Sequence, residues 1–200
     1  MTPRVAVTQR VAVDPRHGER WNALDQRWTW FLAACGLAPL PLSNEPSAAL
    51  DMLSDVPVRG VLLTGGNTLT AYGGDAPERD RTELDTIAFA RARGLPVVGV
   101  CRGMHVILHA FGVPLQRVDG HSGTRHRVDG SRIVNSFHDF ASIGDAGPFE
   151  VLARADDGVV EEIRHPVDPI HGVMWHPERC GPFADEDVRL FRRHFLGDAR

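Results

Sequence analysis

Leu95-Pro-Val-Val-Gly-Val-Cys-Arg-Gly-Met-His-Val-Ile-Leu108 is the stretch on which the fold turns. Val97 to Val100 read as a short buried strand, and directly after Cys101 the chain resumes as an apolar, helix-capable segment. A cysteine at such a junction sits on a sharp strand-to-helix turn that lifts its side chain above the sheet. The first turn of the helix then aims unpaired N–H groups and the positive end of its dipole at the sulfur, a setting that favours a nucleophilic thiolate. A second run, Gly172-Val-Met-Trp-His-Pro-Glu-Arg179, places His176 and Glu178 immediately behind another apolar strand. Cysteine, base and orienting acid are all present.

Working outward, further short apolar runs occur at Val5 to Val7, Val61 to Leu63, Val151 to Ala153 and Ile170 to Met174, each bounded by Gly, Pro or polar residues as strands require. Helical patterns lie between several of them. From Glu19 to Ala34 the spacing of Trp21, Leu24, Trp28, Phe31 and Leu32 predicts one apolar helix face ending near Gly36. From Asp80 to Arg93, Leu84, Ile87, Phe89 and Ala90 are predicted to face inward, with Gly94 and Pro96 as the stop, and a last helix is expected from about Asp185 to Phe195. This alternation predicts an α/β fold: a mostly parallel central sheet with helices on both faces, as one domain over residues 1–200.

In such sheets ligands sit beyond the carboxyl ends of the strands, near a switch in strand order. Thr8-Gln9-Arg10, Thr64-Gly65-Gly66-Asn67, Cys101 and His176 each follow a predicted strand, so all four are expected on one rim. The His-, Gly-, Asp- and Ser-rich stretch from Gly120 to Gly147 is expected to lay strands and loops over that rim.

Composition narrows the class. A formal charge of −4 with scattered arginines and no lysine gives no footprint for nucleic acid, and a small-molecule partner is expected. Cys35, Cys101 and Cys180 form neither an even disulfide framework nor a C-x-x-C pair, which fits a reducing cytoplasm. No apolar run has the length of a membrane span, and Met1-Thr-Pro-Arg-Val lacks the apolar core of a signal peptide. A soluble, cytoplasmic protein is expected, with oligomeric state left open, a homodimer included.

Thr8-Gln-Arg10, Leu63-Thr-Gly-Gly66, Glu78-Arg-Asp80 with Glu83, Val100-Cys-Arg-Gly103, His121 with His126, Val134-Asn-Ser-Phe-His138 and Trp175-His-Pro-Glu178 together resemble the class I glutamine amidotransferase-like family, with its flavodoxin-like fold, and within it the gamma-glutamyl hydrolase branch. The resemblance implies Cys101 as nucleophile, His176 as general base and then acid, and Glu178 as the group that orients His176. It implies the backbone N–H groups of Gly66 and Arg102 as oxyanion donors. It also implies Asn135, Ser136 and His138 as the lining of the gamma-glutamyl pocket, with Gly65 permitting close approach of the backbone. His105 departs from the family pattern, which carries glutamine there; one helical turn after Cys101 it stays near the pocket, as a hydrogen-bonding group or a plain core histidine.

No cofactor is implied. His121 and His126, five apart, have the look of a metal pair, but no third ligand stands out at suitable spacing, and they are read as shaping the pocket or binding substrate. The start of the chain, with Glu19-Arg-Trp-Asn-Ala-Leu-Asp-Gln-Arg-Trp28, is similar to gamma-glutamyl-CDP-amidate hydrolases, which implies release of glutamate and cytidine diphosphoramidate from a nucleotide-linked gamma-glutamyl substrate in surface polysaccharide modification. Arg10 is the expected phosphate contact; Arg102, Arg125, Arg127 and Arg179 stay open, and Trp28 and Trp175 fit a core as well as a base-stacking role. Alternatives are a gamma-glutamyl-gamma-aminobutyrate-type hydrolase, a glutaminase subunit feeding ammonia to a synthase, and a catalytically silent binding protein on the same fold.

Overall fold

A computed structural model describes residues 1–197, so the last three residues of the predicted 1–200 domain lie outside the described residues. Strands are β1 (Arg4–Val7), β2 (Arg10–Val13), β3 (Arg20–Ala23), β4 (Ala38–Pro41), β5 (Val61–Leu63), β6 (Val97–Val100), β7 (Gln116–Arg117), β8 (Ser122–Val128), β9 (Arg132–Phe137), β10 (Phe140–Ala141), β11 (Glu150–Arg154), β12 (Val160–Arg164) and β13 (Ile170–Val173). Helices are α1 (Arg27–Ala34), α2 (Pro46–Asp55), α3 (Pro77–Ala92), α4 (Arg102–Ala110) and α5 (Asp185–Leu196).

Seven strands form the central sheet in the order β11-β12-β13-β6-β5-β1-β4. The five from β13 to β4 are parallel, and β12 and β11 extend the edge antiparallel. The chain steps from β1 outward to β4 and then returns to β5 on the other side of β1, which makes the switch in strand order fall between β1 and β5. Strand side chains alternate between the two faces: Ala6, Val61, Leu63 and Val97 pack with α2, α3 and α4, whereas Val5, Val7, Leu62, Val98 and Val100 pack with α1 and α5. No helix among the described residues is long and apolar enough to cross a membrane.

The α4 helix lies hard against the sheet. A side-chain carbon on Gly103 would stand 2.1 Å from the Leu63 carbonyl oxygen, and one on Gly99 would stand 2.6 Å from the Gly103 backbone. Only hydrogen at both positions lets the helix start immediately above β5 and β6.

The predicted helix from Glu19 to Ala34 is corrected. Its first third is β3, which pairs antiparallel with β2, and Trp21 is 53% exposed, off the helical face altogether. The apolar face begins at Trp28, which packs with Phe31, Leu32 and Phe191. Asp25 marks the start: its carboxylate accepts the Arg27 N–H at 3.0 Å and its carbonyl accepts the Trp28 N–H at 3.0 Å. The helix predicted from Asp80 starts three residues earlier, at Pro77; Ile87 and Ala90 are buried, Leu84 and Phe89 half-buried. Helix α2 and strands β4 and β12 went unrecognised, and the predicted strand at Val151 to Ala153 is the antiparallel edge strand β11.

Candidate active site

Cys101 stands between β6 and α4 with φ 53° and ψ −109°. A non-glycine residue there costs about 1–3 kcal/mol and persists only where its surroundings over-determine it. They do: the Cys101 N–H donates to the Val173 carbonyl of β13 at 2.7 Å, while its own carbonyl accepts the N–H groups of Met104 and His105 at 2.9 and 3.1 Å. The sulfur approaches the Phe137 carbonyl at 3.9 Å, so the β8–β9 hairpin reaches the elbow from above.

His176 arrives from the end of β13. Its Nδ1 meets Glu178 Oε1 at 2.7 Å, and both residues are buried. Burial opposes a charged imidazole, but the charge and hydrogen bond of Cys101, followed by those of Glu178, outweigh it and raise the His176 pKa to about 9. The backbone of His176 is gripped on both sides by Asn135, whose side-chain oxygen accepts its N–H at 2.8 Å and whose amide donates to its carbonyl at 2.8 Å. Behind the ring, a side-chain carbon on Gly65 would stand 2.5 Å from Cε1.

Cys101, His176, His105, Phe137, Phe140 and Arg179 border a cavity of about 520 Å³, together with Gly66 and Arg102. The Gly66 loop is fixed from beneath. Arg79, fully buried, donates to the carbonyls of Thr64 at 2.7 Å, Gly65 at 3.2 Å and Gly66, and pairs with Glu83 at 3.0 Å. Glu83 also accepts from Thr8 Oγ1 at 2.7 Å and pairs with Arg102, which reaches Asp80 as well. The ends of β1, β5 and β6 are thus tied into one buried charge network under the site. The Arg102 side chain is held in that network through its two terminal nitrogens, and its backbone N–H lies at the head of α4, where a helix has no partner for it.

The residues expected to bind substrate are placed differently from one another. Arg10 lies over Gly66, in a smaller recess it shares with Asp25, His176 and Arg179. Asn135 grips His176, as described, and its amide also donates to the Cys180 sulfur at 3.4 Å. Ser136 is fully buried, its hydroxyl donating to the His121 carbonyl at 2.5 Å. His138 borders the cavity, but its Nδ1 bonds the Phe140 carbonyl at 3.1 Å and its Nε2 faces Glu161. His105 bonds the same carbonyl through Nε2 at 2.8 Å; burial, followed by the neighbouring His138, lowers its pKa to about 3, so it stays neutral.

Trp28 and Trp175 are core, the latter donating to Asp187 at 3.0 Å. Cys35 is fully buried, and burial pushes its thiol up to about 12. The expectation that no third ligand accompanies His121 and His126 is corrected: Glu161 from β12 joins them, the ligand atoms of the three lying within 4.8 Å of one another, and His138 Nε2 stands 3.3 Å from Glu161 beside the group. Burial alone would raise the Glu161 carboxyl, and the three imidazoles more than offset it, holding it well below the usual carboxylate range. The sequence signal for Glu161 was a charge inside the apolar run Val159-Val160-Glu-Glu-Ile163.

Residues 57–192 match the class-I glutamine amidotransferase family. The chain is 30% identical over 183 residues to a gamma-glutamyl-CDP-amidate hydrolase of Campylobacter jejuni, a match covering 88% of this chain and 90% of that one. It is 33% identical over 118 residues to anthranilate synthase component 2 of Archaeoglobus fulgidus, covering 54% and 64%. In fold it is similar to the glutaminase domain of Trypanosoma brucei CTPS, solved with bound acivicin, with a TM-score of 0.69 at 14% identity over 100% of this chain and 96% of that one. With the strand order, the cysteine elbow and the histidine and glutamate that meet it, these matches establish that the chain belongs to the class-I glutamine amidotransferase family.

Proposed function

We propose that the protein is a cysteine hydrolase that cleaves a gamma-glutamyl amide bond, and that its substrate is gamma-glutamyl-CDP-amidate. The observation that carries the chemistry is the constrained Cys101 elbow sharing one cavity with the buried His176–Glu178 pair. The Cys101 sulfur attacks the side-chain carbonyl carbon of the gamma-glutamyl group, and the carbonyl oxygen becomes an anion facing the N–H groups of Gly66 and Arg102. Collapse breaks the C–N bond; the imidazolium of His176 gives its proton to the departing nitrogen, leaving a glutamyl thioester. Water, deprotonated by the now neutral His176, attacks the thioester and releases glutamate and the free cysteine. Glu178, bonded to Nδ1, keeps Nε2 turned to the chemistry throughout.

The size of the leaving group is supported by the cavity. At about 520 Å³ it falls in the range of about 300–1,000 Å³ that takes drug-sized ligands, more than a glutamine needs. Arg179 borders the cavity and Arg10 lies in the adjoining smaller recess beyond Gly66, both placed as phosphate partners, and Phe137, 43% exposed with the Arg179 guanidinium 4.5 Å over its ring, offers a flat face for a base. The relative in Campylobacter favours the same substrate. The test is glutamate release by the purified protein alone from gamma-glutamyl-CDP-amidate, glutamine and gamma-glutamyl-aminobutyrate in parallel. Preference for the nucleotide is expected; equal rates on the simple amides would replace the substrate assignment, and activity only with a synthase present would replace hydrolase with glutaminase subunit. Cys101→Ala is expected to keep the melting transition and lose turnover, and full activity in that variant would overturn the mechanism.

A further inference from the structure

Behind the cavity, whose wall His138 helps to form, four side chains from three parts of the chain converge at Glu161. His121 precedes β8, His126 lies within it, His138 follows β9 and Glu161 comes from β12. Glu161 Oε1 is 3.5 Å from His121 Nδ1, 3.2 Å from His126 Nε2 and 3.3 Å from His138 Nε2. Glu161, His121 and His138 are at least nine-tenths buried, and His126 is largely so. None of these facing nitrogens, and neither oxygen of Glu161, makes a hydrogen bond.

The outer ring nitrogens settle what the inner ones present. His138 Nδ1 meets the Phe140 carbonyl, which only accepts, so the proton is on Nδ1 and the lone pair on Nε2. His121 Nε2 meets the Asp157 carboxylate at 2.8 Å, so Nε2 carries a proton and Nδ1 is the nitrogen turned to Glu161. Each of these rings therefore either brings a lone pair to the buried carboxylate, which repels, or needs a second proton on its inner nitrogen, and a cation between the groups removes the conflict. A proton on one ring answers one contact and leaves the others. A metal ion answers all of them, and Asp157 and the Phe140 carbonyl are the outer partners that metal-bound histidines ordinarily have.

The distances fit a particular ion. Zinc with bonds of about 2.0–2.1 Å sets tetrahedral ligand atoms about 3.3–3.4 Å apart, because a tetrahedron's edge is about 1.63 times its centre-to-vertex length. Glu161 Oε1 stands at 3.2–3.5 Å from all three nitrogens, within about 0.1 Å of that edge length. We infer that His121, His126 and Glu161, whose ligand atoms lie within 4.8 Å of one another, form a structural zinc site, which His138, 3.3 Å from Glu161, closes as the fourth ligand when the ion is bound. Four protein ligands leave no position for water or substrate, so the ion stays out of the hydrolysis and pins the β8–β9 hairpin to β12. That hairpin carries Asn135, which grips His176, and Phe137, whose carbonyl meets Cys101; the Glu161 carbonyl in turn accepts the Met174 N–H at 2.8 Å, two residues before His176.

The test is independent of the substrate assignment. Protein purified without added chelator should hold about one zinc per chain by elemental analysis. Stripping it should lower the melting temperature, and zinc alone should restore it. Cobalt(II) added to the stripped protein should give the intense visible bands of a tetrahedral ion without a sulfur-to-cobalt charge-transfer band, and Cys101→Ala should give the same spectrum, which separates this site from the catalytic thiol. His126→Asn, at the most accessible ligand, should weaken zinc binding by about 10-fold or more, a loss of the size that even outer-shell changes produce. Stripped wild-type protein whose melting temperature is unmoved by zinc and which gives no tetrahedral cobalt spectrum would overturn the assignment, as would a cobalt spectrum that disappears in Cys101→Ala.

Discussion

Adding one methyl group, Gly65→Ala, is expected to cost about 100-fold in kcat while leaving the fold standing. The new carbon would lie 2.5 Å from His176 Cε1, 3.3 Å from Nε2 and 3.5 Å from Nδ1. Carbon atoms sit comfortably at about 3.5–4.0 Å, so the ring must retreat by about 1 Å. It has no easy way to do so, because Glu178 holds Nδ1, Asn135 holds the main chain on both sides and the Phe137 ring stands edge-on at 5.7 Å between centroids. The displacement is therefore taken up along the line from Nε2 to the Cys101 sulfur. A misplacement of about 1 Å in a reacting group costs on the order of 10²-fold, or about 2.7 kcal/mol of barrier. The stability cost is smaller, about 1–3 kcal/mol for overpacking, less about 0.4–1 kcal/mol returned by the stiffer unfolded chain, since Gly65 has no left-handed φ that alanine would resist. Initial rates of glutamate release at saturating substrate, beside a thermal melt of the same preparation, make the measurement. A folded variant with kcat within about threefold of the parent would refute the claim that this contact sets the histidine's position.

Three further outcomes follow from the same geometry. Asn135→Ala should lower kcat by about 10-fold with little change in KM, because the two lost bonds hold the His176 backbone and not the substrate; a rise in KM at constant kcat would assign Asn135 to substrate instead. Arg79→Met should destabilise the protein by about 3–5 kcal/mol in chemical denaturation, since it strands the carbonyls of the Gly66 loop and one arm of buried Glu83; a change below about 1 kcal/mol would show that Arg102 alone satisfies the network. The raised His176 pKa keeps the imidazolium through neutral pH, so kcat/KM should hold level there and fall as pH rises through about 9, where the proton for the leaving group is lost. The sign for stability is the same: a folded pKa above the ordinary value of about 6.5 contributes fully below that pH and is lost on the way up to about 9. A profile still climbing beyond pH 9 would exclude His176 as that acid.

The fold class, the cysteine elbow and the residues of the His176–Glu178 pair could be read from the chain because each is written within a few consecutive residues. Strand, turn and helix follow one another around Cys101, and His176 and Glu178 are separated by one proline. The errors lie where a local pattern competes with a distant partner. Trp21 fits the helical spacing of Trp28 and Phe31, but Val11 to Val13 supply a strand for it to pair beside, and pairing wins. Asn135 and Ser136 sit in a motif that reads as pocket lining, yet their hydrogen bonds go to His176 and to His121 across the fold.

The sequence by itself determined the parallel sheet and the rim on which the ends of the strands before Cys101 and His176 meet, since backbone period and local turn chemistry suffice for these. Only the tertiary structure decided that Arg79 and Glu83 lock the Gly66 loop, and that His121, His126 and His138 gather around the buried Glu161. Those residues lie tens of positions apart, and what unites them is the need of each buried charge for a partner that chain spacing cannot name but packing must supply.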